Sequence, residues 1–128
     1  MFSLLRLIGT TQENDDIFAR FLPRLADLGY SKEAFREVQV MEDEAQQAEA
    51  LAQLALHMPL SLIEEAVTMA RKMKSERHRE VVLVSVLPRL ARFGKLDKAL
   101  ALTQLIRDEG QRTHTLVMIA RSLLAMHQ

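Results

Sequence analysis

The side chains with which this chain could do chemistry are few and scattered. Its four histidines, His57, His78, His114 and His127, fall in different segments, and no two share a helical turn. Metal binding needs converging ligands held by a second layer of hydrogen bonds, so these histidines are expected to face solvent or an interface, with no metal site. Glu42, Asp43 and Glu44 gather carboxylates where a helix is expected to end, a place the helix dipole disfavours. Acid–base catalysis needs opposed carboxylates in a dry cleft, and the sequence indicates none; solvated charge is the expectation. There is no cysteine, phosphate-binding glycine loop, His-Glu-x-x-His motif or nucleophile elbow. The expected function is therefore binding without catalysis, and without a cofactor.

Charge offers more. Arg71, Lys72, Lys74, Arg77, His78 and Arg79 form a basic run that could meet phosphates. It lacks interleaved aromatics for base stacking, and an acidic N-terminal half would repel nucleic acid, which is disfavoured as a partner. A solvated face, or a dock for an acidic partner such as the chain's own N-terminal half, fits the run better. Residues 1–66 carry 5 basic and 12 acidic side chains, and residues 67–128 carry 12 basic and 5 acidic. Such a chain favours head-to-tail association or a partner with matching fields, although solvated helix faces can also differ without purpose.

The elements that must position these groups are helices. Hydrophobic residues make up 48% of 128 positions and charged ones 27%, as in soluble helical domains, and glycine, proline and tryptophan are few. The longest apolar run, residues 81–87, is too short to span a membrane, and the first ten residues lack a signal-peptide pattern. With no cysteine, the reducing cytoplasm is the easiest home. Hydrophobic periodicity and punctuation predict helices over 2–8, 13–28, 32–42, 45–57, 61–74, 77–93, 96–107 and 111–126. Ser31 is expected to cap the third, and Ser61 with Glu64 to form a capping box. Four glycines are placed at helix ends. Pro23 and Pro88 fall inside helices and predict matching kinks.

One stretch repeats. Residues 83–100 match residues 18–35 at seven positions, among them Leu22/Leu87, Pro23/Pro88, Arg24/Arg89, Leu25/Leu90 and Gly29/Gly94. A fainter copy around Glu64-Glu65-Ala66-Val67 divides that interval in two, so the unit is about 33 residues. The repeat also decides residues 81–86, whose valines favour strand: Val82, Leu83, Val86 and Leu87 occupy the places of Ile17, Phe18, Phe21 and Leu22, and helix is predicted. Buried faces are expected at Ile17, Phe18, Phe21, Leu22 and Leu25, at Ala34, Phe35, Val38 and Met41, at Ala48, Leu51, Leu54 and Ala55, at Ile63, Ala66, Val67, Ala70 and Met73, and at Leu116, Ile119, Ala120 and Leu123.

In this phase the turns Gly29 to Phe35 and Gly94 to Leu100, with the large apolar residues before them, resemble the tetratricopeptide-like helical repeats. The resemblance implies an all-α fold: a right-handed α-solenoid of stacked antiparallel helix hairpins over residues 1–128. The hairpins would be 13–44, 45–76 and 77–109, with 1–9 a partial repeat and 111–127 a terminal helix. It implies a groove lined by the first helix of each hairpin, with a protein or peptide partner. The outward positions there are Asp16, Arg20 and Asp27, then Glu49 and Gln53, then Ser85, Arg89 and Arg92. The chain starts inside a repeat and ends on an apolar helix without a polar cap. Self-association into a homo-oligomer through the solenoid ends, or a place as a scaffold or sensor segment of a larger regulatory protein, is the alternative expectation.

Overall fold

A computed structural model describes residues 21–126 except Pro23. The helix pattern predicted over 2–8, most of that over 13–28 and the Pro23 kink lie outside the described residues. After a π-type turn at Ala26–Tyr30 come six α-helices: α1 (Ser31–Gln39), α2 (Glu44–Leu54), α3 (Leu60–Lys72), α4 (Glu76–Arg92), α5 (Leu96–Leu102) and α6 (Glu109–Met126). Short 3-10 turns, Ala55–His57 and Thr103–Leu105, tighten the ends of α2 and α5. Among the described residues there is no strand, and no helix is long and apolar enough to cross a membrane.

Three of the helices, α2, α4 and α6, start the same way. Asp43, Ser75 and Asp108 stand before α2, α4 and α6, and each side chain accepts the backbone N–H three residues on, at Gln46, His78 and Gln111. Each bond satisfies one of the amides that a helix start leaves without a partner. Two expected caps fail. Ser31 is the first helical residue of α1 and makes no capping bond. At α3, Pro59 stands at the cap position, and its carbonyl accepts from Leu62 and Ile63 while no side chain caps the helix. Proline fixes its own φ and can only offer its carbonyl there, so the start moves ahead of Ser61. Glu64 bonds Lys98 instead.

Gly94 ends α4 in a left-handed conformation at φ 86°. Its N–H reaches the Ala91 carbonyl and that of Lys95 reaches Leu90, the double closure of a Schellman motif. Gly29, at φ 100°, closes the turn before α1. Gly110 departs from expectation: it is the second residue of α6, not a break before it.

The core forms around α4, which packs against α2, α3, α5 and α6. Val82, Leu83, Val86, Leu87 and Leu90 are all fully buried on it. The valines thus fold as helix because burial outweighs a strand preference of at most about 1 kcal/mol each. The helix runs on through Pro88, which is itself buried. Phe35, Leu51, Leu54, Ile63 and Ile106 fill the remainder. Leu22 and Leu25 are buried as expected, but Phe21, expected on the same face, is 49% exposed. On α6 the expected face is also shifted: Thr115 and Ile119 are buried, while Leu116 and Ala120 are exposed. The hydroxyl of Thr115 is satisfied within its own helix by the Gln111 carbonyl, which makes its burial tolerable.

Candidate functional site

A groove runs over α2, α4 and α6, alternate helices of the chain, in two joined parts. The larger, about 880 Å³, lies over the starts of α4 and α6 and is lined by Glu49, Glu76, Arg77, Glu80 and Asp108 together with small residues. The smaller, about 380 Å³, continues toward the end of α4, where Arg89, Arg92 and His114 line it beside Leu56, Pro88 and Met118. Ala52, Val84 and Ser85 belong to both and mark the junction. Their modest side chains leave the backbones of α2 and α4 open to a visitor, and the Ser85 hydroxyl is occupied by the Val81 carbonyl.

Of the eight residues expected to line a groove, Glu49, Ser85, Arg89 and Arg92 do so. Gln53 adjoins it only through a hydrogen bond to Glu49. Asp27 lies elsewhere, 3.7 Å from His57. Asp16 and Arg20 lie outside the described residues. Sequence reasoning missed the contribution of α6, because that segment was assigned a terminal role; Asp108, Gln111, His114 and Met118 all belong to its side of the groove. It also missed Glu76 and Glu80. The spacing of Glu76 and Glu80, one turn apart on a helix whose Ser85 was already placed outward, was the available signal.

The charged groups near the groove divide by what holds them. Glu76 pairs with Arg107 at 3.4 Å, and Glu80 accepts the backbone N–H of Asp108. Arg89 lies with its guanidinium carbon 5.1 Å from the centre of the Phe93 ring, one turn on. Its Nε is buried without a hydrogen-bond partner among the described residues. Desolvation, and secondly the neighbouring Arg92, lower its pKa from the ordinary guanidinium value. The site therefore holds a cation in an environment that disfavours charge.

Beside the groove sits a second polar centre, at Glu44. The triplet expected to lie solvated at a helix end instead opens α2: Asp43 caps it and Glu44 is its first residue. The Glu44 carboxylate accepts the N–H groups of Lys74 and Ser75, at 2.9 and 3.0 Å, and meets His78 Nδ1 at 2.8 Å. The two backbone donors, then His78, hold its pKa down at about 2. Part of the basic run is thereby bound within the chain: the His78 side chain at Glu44 and the Arg79 side chain at the Met73 carbonyl, while Lys74 gives Glu44 only its backbone N–H. Among the described residues no three histidine, aspartate or glutamate side chains converge as metal ligands would. Comparison with protein-family models, with curated proteins and with solved structures found no match to this chain.

Proposed function

We propose that the chain is a non-catalytic interaction module, a tetratricopeptide-like α-solenoid whose groove over α2, α4 and α6 takes a protein or peptide segment. The observation that carries this reading is the groove itself: a cleft across alternate helices α2, α4 and α6, containing Glu49, Ser85, Arg89 and Arg92. The repeat has a second support. Apart from bonds within local loops, the polar ties between elements join residues about one unit apart: Glu44 to Lys74, Ser75 and His78, Glu64 to Lys98, Glu80 to Asp108. Each unit is tied to the next by the same kind of bond, as in stacked arrays. The lack of cysteine accords with a cytoplasmic setting for such a module.

The test is a random dodecapeptide library displayed on phage and panned on the full chain. Enrichment of a sequence family is expected, and Ser85→Trp, which fills the junction of the groove, is expected to abolish its capture. Capture that survives Ser85→Trp in a folded variant places binding elsewhere and sinks the reading.

A second reading, self-association, is favoured by one observation. Leu116, Val117, Leu124 and Met126 of α6 are exposed, Leu124 by 66%. By helical spacing Leu116, Val117 and Leu124 share one side of α6, and apolar exposure on one side marks contact surfaces. Light scattering across a concentration series is expected to show a mass that rises with concentration, and Leu124→Glu to hold the chain as a monomer. A constant monomer mass up to high concentration excludes it.

A further inference from the structure

The two ends of the groove differ in charge. At the end near the starts of α4 and α6, Glu49, Glu76, Glu80 and Asp108 outnumber the single Arg77. At the other end the charged lining is Arg89 and Arg92, with His114 beside them and no carboxylate. Between them the floor at Val84, Ala52 and Met118 is apolar.

Each end has an unmet preference. The Phe93 ring holds the Arg89 guanidinium in place. Its Nε is a buried donor with no acceptor among the described residues, an arrangement that costs free energy. Arg92 adds a second cation rather than an anion to balance the first. A planar carboxylate between two guanidinium groups is the group that answers this chemistry most directly. At the far end, the bonds of Glu49 to Gln53 and of Glu80 to Asp108 each engage one carboxylate oxygen. A carboxylate has two oxygens, so both side chains retain capacity for an incoming ammonium or guanidinium.

Resting on the groove reading above, we infer that the segment it takes is a bipolar peptide in extended form. A Glu or Asp side chain sits between Arg89 and Arg92, an apolar residue lies over Val84 and Met118, and a Lys or Arg lies beside Glu49 and Glu80. The spacing follows from helix geometry. Along the α4 axis Glu80 lies about 14 Å from Arg89 and about 18 Å from Arg92 at 1.5 Å per residue. Their offsets of about a half and a third of a turn round the helix make these the least spans the segment must cover. An extended chain covers those spans in about four to six residues. A uniformly acidic or uniformly basic segment would be repelled at one end, so the opposed charges set specificity and orientation as well as attraction.

The peptides recovered from the dodecapeptide library decide this. The expected family carries an acidic and a basic position four to six residues apart with an apolar residue between. The best member, made as an acetylated and amidated peptide so that its termini carry no charge, is expected to lose at least tenfold in affinity for Arg92→Glu by fluorescence anisotropy. Arg92 is exposed, so the variant spares the core, and circular dichroism verifies its fold. Panning on Arg92→Glu is expected to replace the acidic position with Lys or Arg. Enriched sequences without an acidic position, or an affinity unchanged by Arg92→Glu, overturn this inference; if Ser85→Trp still abolishes their capture, the groove reading stands. A library that yields no enriched family overturns both.

Discussion

Glu44 shows how one carboxylate can tie the start of α2 to the loop before α4. It sits at the start of α2, where the helix dipole favours a negative charge, and collects two backbone amides from the loop before α4. Those amides precede the first turn of α4 and would otherwise have only water. Because its folded pKa is about 2 and an unfolded glutamate titrates near 4.5, the folded state binds fewer protons between those values. Its contribution to stability is thus complete above about pH 5 and lost as pH falls toward 2. Its side chain is 29% exposed, so solvent screening reduces the full linkage value. Glu44→Gln is expected to cost about 1–2 kcal/mol at pH 7 in denaturant titrations, narrowing to nothing near pH 2. A cost that persists unchanged at pH 2 would mean the charge is immaterial. The sequence held the signal for this start. Asp43-Glu44-Ala45-Gln46 has the form of a cap followed three residues later by an amide side chain. The carboxylates were assigned to the preceding helix because α1 was extended to residue 42, whereas it stops at Gln39. An error of three residues moved the triplet from one pole of a helix dipole to the other.

Among the elements, α4 was the most legible in its role and the hardest in its type. Its valine run has the composition of a strand, and only the match to an earlier segment made it a helix. The structure gives it four neighbours, which is why its face is dry from Val82 to Ala91. Leu87→Ala is expected to cost about 2–5 kcal/mol, read as a lowered denaturation midpoint, because four packed helices cannot all close on the cavity. Gly94→Ala tests the end of the same helix. Nothing lies within 4 Å of an added Cβ, so the penalty comes from the positive φ alone, and about 1 kcal/mol is expected. A neutral Gly94→Ala would show that the turn relaxes to negative φ. What the sequence could not convey was α6. Its leucines recur at helical spacing, but periodicity gives the width of an apolar stripe and not which edge of it meets a neighbour. Thr115 and Ile119 face inward, and the stripe is turned so that Leu116 lies outside.

For the molecule as a whole, α4 is the shared neighbour of α2, α3, α5 and α6, while the first and last described helices rest on different partners. The main neighbours of α1 are α2 and the turn before it, whereas α6 rests on α4 and the turn after α5. The groove follows from this order: α2, α4 and α6 lie side by side, so residues far apart in sequence, such as Glu49 and Asp108, line one cleft. That juxtaposition needed the third helix, which is why only half of the groove was foreseen. The proposed stacking also predicts how damage spreads. In a single shared core, a cavity anywhere lowers the stability of every element together. In a stacked array, a cavity at one end weakens its own unit and the nearest interface first. Phe35 is buried between α1 and its neighbours, far along the chain from α6. Phe35→Ala is therefore expected to raise amide hydrogen exchange across α1 and α2 while α4 and α6 keep most of their protection. Leu87→Ala, in the middle, is expected to raise exchange in all the helices packed on α4. The same rise in α6 for both substitutions would show one cooperative core, and the stacked reading would fail with it.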